Sequence, residues 1–217
     1  MSQDMLMLLV EALGETLYMV AVSSLVSAVL GIPLGVILVI TGKGHIKEHP
    51  VFNQTLGAVV NAARSTPFII LMVAIIPFTR VIAGTSIGTN AAVVPLSIAA
   101  IPFVARVVES ALKEVDAGLV EAAQSMGASP SQIILKVLIP EAMPSIVLGL
   151  TLTVISLIGY SAMAGAIGGG GLGDLAIRYG YQRFRADVML ATVVILIALV
   201  QMMQSSGDYF AHKLNKR

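Results

Sequence analysis

The chain has 217 residues, 57% of them hydrophobic and only 12% charged, with a mean hydropathy of +0.92. Soluble domains carry about 25% charged residues, so these values exclude a soluble globule and define a polytopic membrane protein. The net charge of +1 argues nothing about nucleic acid, and the absence of cysteine excludes disulfides, thiolate metal sites and thiol redox chemistry.

The first 15 residues carry Asp4, Glu11 and Glu15 and no Lys or Arg, unlike the basic start of a cleavable signal peptide. A spanning helix needs about 20 mostly apolar residues. Five stretches qualify: 17–40, 51–78, 81–105, 142–166 and 188–207. The expected fold is therefore all-α, a single transmembrane domain over residues 1–217 with five membrane-spanning helices.

Span one contains Gly31-Ile32-Pro33-Leu34-Gly35, a small-xxx-small pattern that favours close helix packing or a bend. Span two carries Arg64, read as an interfacial anchor whose stem snorkels near the inner end of the helix. Pro67 and Pro77 in span two, and Pro95 and Pro102 in span three, predict kinks. Span four places Thr151, Thr153, Ser156, Tyr160 and Ser161 along an apolar helix and is the expected pore liner. Ser156, Tyr160, Ser161 and the adaptable Met163 are the candidate pathway residues, with ordinary helix packing as the alternative.

Lys and Arg set orientation. Lys43 and Lys47 follow span one, Arg106, Lys113 and Lys136 follow span three, and Lys213, Lys216 and Arg217 close the chain. With five spans these positions share one side, the cytoplasm, which leaves the N-terminus outside. Arg178, Arg183 and Arg185 oppose this arrangement from the expected outer face.

Residues 116–140 form a polar insert between spans three and four. Asp116 is suited to cap a helix over 117–126, and Gly127 to close it in the left-handed conformation. Leu119, Val120, Ala123 and Met126 recur at helical spacing and predict one apolar side. Ser129-Pro130 restarts a helix that Pro140 is expected to break. Glu121 is placed in the first turn, where the helix dipole favours it, while Ala122 and Ala123 remove bulk and let a partner approach. An interfacial amphipathic loop with no partner is the alternative.

The order Glu121-Ala122-Ala123, then Gly127, then an apolar-x-apolar-Pro ending at Pro140 resembles the coupling loop of permease subunits in binding-protein-dependent ABC importers. Val137 and Ile139 are conservative departures from that pattern. Arg64-Ser65-Thr66-Pro67 is similar to an element of amino-acid importer permeases. The run GYSAMAGAIGGGGLGDLAIRYGYQRF looks like the methionine-importer type.

The resemblance implies a homodimer in the bacterial inner membrane that imports an amino acid, with methionine as substrate. It implies two cytoplasmic ATPase subunits, a binding protein outside, and ATP with magnesium on the ATPase. No cofactor or metal is expected on this chain, whose remaining partner is membrane lipid. Glu121, Ala122, Ala123, Gly127 and Pro140 then carry ATPase coupling.

No GxxxxGK[ST] occurs, so the chain has no P-loop of its own. Gly168, Gly170 and Gly173 match GxGxxG without a preceding strand; a flexible, closely packed turn is the better reading. Gly168, Gly169 and Gly170 are the candidate outer gate. His45-Ile46-Lys47-Glu48-His49 spells H-x-x-E-H, the foothold for a membrane zinc peptidase, but it sits in a short charged loop followed by Pro50. A stand-alone channel or carrier is the other alternative. Spans one, three, four and five hold no carboxylate, which argues against an ion-coupled carrier.

Overall fold

The computed structural model describes residues 3–215, and those residues form helices and turns without a strand. Helix α1 (Gln3–Ile40) is 38 residues long, about 57 Å by helical rise. It starts well before the expected position 17. Residues 3–16 remain helical because Met5, Leu9 and Ala12 bury against Leu172, Leu175 and Val188 from later in the chain.

The expected second span is not one helix. Helix α2 (Pro50–Ser65) opens with Pro50 in its first turn and His49 Nδ1 accepting from the Phe52 N–H. It ends because Thr66 precedes a proline, which disfavours helical backbone; Thr66 is extended at φ −77°, ψ 123°. Helix α3 (Phe68–Ala74) leaves at 99° to α2. A second break at Ile75 precedes α4 (Ile76–Ala83), which carries Pro77 in its first turn and closes on Gly84.

The expected third span is shifted for the same reason. Val81–Ala83 finish α4, and α5 runs Thr89–Lys113, with Pro95 and Pro102 inside it. Helix α5 lies along α1, with Gly31 and Gly35 in the seam. A Cβ on Gly35 would stand 2.6 Å from the Ala105 carbonyl oxygen, and one on Gly31 2.7 Å from Val104.

Helix α6 (Ala117–Ser125) and the short α7 (Pro130–Ile133) form the insert. A wide π turn (Ile134–Leu138) then leads without interruption into α8 (Ile139–Gly165). Pro140 therefore does not break the helix. In the π turn the Ile139 N–H bonds to the Ile134 carbonyl, and the extra residue opens room for a ring that would clash in a regular α turn.

A glycine turn leads to α9 (Gly171–Leu175) and a second π segment (Ala176–Tyr181). Helix α10 (Ala186–Leu214) then runs seven residues past the expected end at 207. Four helical segments are long and apolar enough to cross a membrane, or five if the bent α2–α3 pair counts as one span.

One core joins α1, α3, α5, α8 and α10 through Met19, Phe68, Leu96, Leu157 and Leu199. A second core ties α6 and α7 to α1, α5 and α8 through Val39, Val108, Ala123, Ile133 and Ala142. The insert is thus part of the folded body. It defines one end of the molecule, the coupling end. The glycine turn and the start of α1 define the far end.

Candidate functional site

The Asp116 carboxylate accepts from the Gly118 N–H at 2.7 Å and caps α6. At the other end the Ala128 N–H bonds to the Ala123 carbonyl, and the Gly127 N–H to that of Gln124. This is a Schellman closure, and Gly127 supplies its left-handed residue at φ +77°. Ser129 and Gln132 then form a reciprocal capping box at the start of α7.

These caps hold α6 with a defined outer face. Ala123 is only 5% exposed and packs with Val120, Ala128 and Ile133. It positions the helix and is covered by this chain's own core. Leu119 and Met126 point the other way, Met126 being 82% exposed. The expected single apolar side is therefore split: Val120 and Ala123 face in, while Leu119, Ala122 and Met126 face out beside exposed Glu121. Glu121 is not in the first turn, since α6 begins at Ala117 and that turn has no acidic residue. Met126 was legible only as core, because spacing cannot say which of two apolar stripes a short helix buries.

The four pathway candidates do not share a face. The Ser161 hydroxyl donates to the Ile158 carbonyl at 2.8 Å and is 1% exposed, inside the protomer. Tyr160 stacks on Phe68, with ring centroids 4.7 Å apart. Met163 is 48% exposed and shares an open ridge of α8 with Gly159, Leu152 and Leu148. Ser156 borders that ridge, half-buried, its hydroxyl returned to the Leu152 carbonyl.

The glycine turn has the close backbone packing expected of it and is hydrogen-bonded on both sides. The Gly88 N–H donates to the Gly168 carbonyl at 2.8 Å, joining the turn to the start of α5. Glu15 Oε2 accepts from the Gly171 N–H at 2.5 Å, and Thr16 Oγ1 from the Leu172 N–H at 2.9 Å. A Cβ on Gly169 would stand 2.8 Å from the Ala164 carbonyl, and one on Gly170 2.8 Å from the Glu15 carboxylate. Glu15 as the anchor was not legible, because its partner lies far along the chain.

Two of the arginines at the far end are locally paired. Arg178 Nε donates to Asp174 at 2.8 Å, and Arg185 holds Asp187 through two nitrogens. The bond to Asp174, opposed by partial burial, raises the Arg178 guanidinium above its ordinary range. Arg183 stacks over the Tyr179 ring at 4.4 Å. No group of three or more potential metal ligands occurs among the described residues. His45 and His49 lie in turns, with His49 used as a helix cap.

Arg64 lies in the last turn of α2, beside the bend that divides the expected second span. Along α2, Val60 packs with Leu34, Leu38 and Ala105. After the bend, Phe68 joins the central core beside Met19 and Leu96. Arg64 lies between these two levels. Leu34 is about 9 Å and Met19 about 31 Å from the end of α1 by helical rise, so Arg64 lies alongside α1 and not beyond its end. A lipid-facing arginine at the centre of a spanning helix costs about 2.5–3.5 kcal/mol on insertion scales. Arg64 is exposed and has no hydrogen-bond or ion-pair partner among the described residues.

A helical membrane body that holds a capped helix at one end, one face in its core and the other exposed, fits the class of transport subunits that work against a separate partner. Residues 31–216 match the family described as the inner membrane component of binding-protein-dependent transport systems, and the chain belongs to that family.

It is 60% identical over 210 residues to the probable D-methionine transport system permease protein MetI of Vibrio cholerae, covering 97% of this chain and 93% of that protein. It is 53% identical over 165 residues to the D-methionine transport system permease protein MetI of Escherichia coli K12, covering 76% of each. It also superimposes with a TM-score of 0.98, at 50% identity and over 100% of both chains, on a solved structure of the MetNI methionine ABC transporter in inward-facing conformations.

Proposed function

We propose that this chain is the permease subunit of an ATP-driven importer of methionine. It works as a homodimer in the inner membrane, with two ATPase subunits at the coupling end and a solute-binding protein at the far end. The observation that carries this reading is the rigidly capped helix α6, which turns Leu119, Glu121, Ala122 and Met126 outward from a buried Val120–Ala123 seam. An apolar ridge beside a carboxylate, on a helix that cannot yield independently of α8, suits a groove on a partner that must push the membrane helices. The named relatives and the inward-facing structural match support methionine as the solute and an inward-facing state here.

The N-terminus then lies outside and the C-terminus in the cytoplasm, in keeping with Lys43, Lys47, Lys113 and Lys136 at the coupling end. ATP and magnesium belong to the ATPase. Closure of the ATPase pair moves α6, and the continuous helix from Pro130 to Gly165 carries that movement toward the far end. The path lies at the two-fold axis, along the α8 ridge that holds Ser156 and Met163. Gly168, Gly169 and Gly170 close it at the far end, next to Gly171 and Leu172, whose N–H groups are held by Glu15 and Thr16.

Tagged protein purified in mild detergent tests this reading. An ATP-hydrolysing subunit is expected in equal stoichiometry. Met126→Asp with Glu121→Lys should abolish that association and leave the permease folded. A protein that purifies alone in stable form, or a double variant that retains its ATPase, overturns the reading.

A further inference from the structure

Arg64, in the last turn of α2 beside the bend to α3, has no use in the coupling scheme. Arg64 closes α2 just before the bend, exposed and without a partner in its own chain. The exposed residues around it on the same stretch are Asn61, Ala62, Ala63, Ser65, Thr66 and Pro67, small or polar side chains that leave the guanidinium uncovered. The hydroxyls of Ser65 and Thr66 are satisfied by the carbonyls of Asn61 and Ala62, which leaves the guanidinium as the group able to take up an anion. Other basic groups along α5 are already committed: Arg106 binds Glu109 and the Gly57 carbonyl, and Lys113 takes the other Glu109 oxygen.

We propose that Arg64 lines the water-filled path and receives the carboxylate of the transported amino acid. A guanidinium offers a planar fork that meets a carboxylate through two parallel hydrogen bonds. In a two-fold dimer the pair of Arg64 side chains gives the path a positive field that draws in the carboxylate end of the solute. The side chain of the solute makes no charged demand at this point, which suits an amino acid with an apolar side chain. The proposal rests on the importer reading above.

The chain contains no cysteine, so Arg64→Cys introduces a single thiol. The test uses the full complex with an ATPase and binding protein free of reactive cysteines, reconstituted in vesicles and supplied with ATP. Arg64→Cys should lower methionine uptake about tenfold or more while ATPase association and basal hydrolysis stay unchanged. A thiosulfonate that adds an ethylammonium group should restore uptake several-fold. The matching ethylsulfonate adduct should not, and Arg64→Lys should retain part of the activity.

Wild-type uptake by Arg64→Cys, a thiol that reacts with neither reagent, or equal effects of the two adducts would each overturn the proposal. If the wild-type complex carries a different amino acid and not methionine, the substrate reading fails instead. The same charge comparison, made with that solute, then decides the role of Arg64.

Discussion

Gly127 holds φ +77° with nothing within 4 Å of where a Cβ would stand. Space is therefore no obstacle to a side chain there, but backbone conformation is. A left-handed L-residue costs roughly 1–2 kcal/mol, and asparagine tolerates the region best. Gly127→Ala is expected to weaken ATPase association in proportion to that cost, and Gly127→Asn to weaken it less. Co-purification of the ATPase across the two variants checks the order. A larger loss for Asn than for Ala would mean that the partner fills the open space beside Gly127. Glu121 and Ala122 stand on the exposed side of the same helix, so their substitution acts on contact; Ala123 acts through the fold.

Among the elements, α1 and α5 meet closely because Gly31 and Gly35 let Val104, Ala105 and Val108 approach the α1 backbone. Gly35→Val places its Cβ against a carbonyl, which cannot rotate away as a side chain would. Overpacking of a formed core typically costs about 1–3 kcal/mol. The variant is expected to melt earlier in detergent by that margin, whereas Gly14→Ala, with open space around it, should melt as wild type. Thermal unfolding followed by circular dichroism separates the two. The same logic explains the π turn before α8. A proline that would stop an ordinary α-helix is carried within a widened turn, so that α7 and α8 move as one lever.

On the scale of the whole molecule, two of the exposed surfaces of one protomer differ in character. One is the α8 ridge of Leu148, Leu152, Gly159 and Met163; the other is the polar end of α2. The second has no place against lipid and the first borders Ser156, so both suit an axis shared with another copy. Met163→Cys is expected to form a disulfide-linked dimer on mild oxidation in membranes. Leu190→Cys, 70% exposed on α10, should remain monomeric. Gel mobility under non-reducing conditions reads the outcome; cross-linking at Leu190 and not at Met163 would move the axis to α10.

Amino-acid order by itself determined the membrane class, the insert between the third and fourth spans, and its caps at Asp116, Gly127 and Ser129-Pro130. Those features depend on residues within one helical turn of each other, so their chemistry is complete in the local sequence. Tertiary structure decided the rest. Helix α1 reaches Gln3 because residues far along the chain cover its first turns. The direction of α3 after Pro67 follows from Phe68 seating on Tyr160. Ala123 faces inward and Met126 outward because Ile133 and Val108 occupy one side of α6. Glu15 became an anchor only when the glycine turn was brought to it. Each of these joins residues widely separated in the chain, and helical periodicity carries no information about which stripe a distant partner will cover.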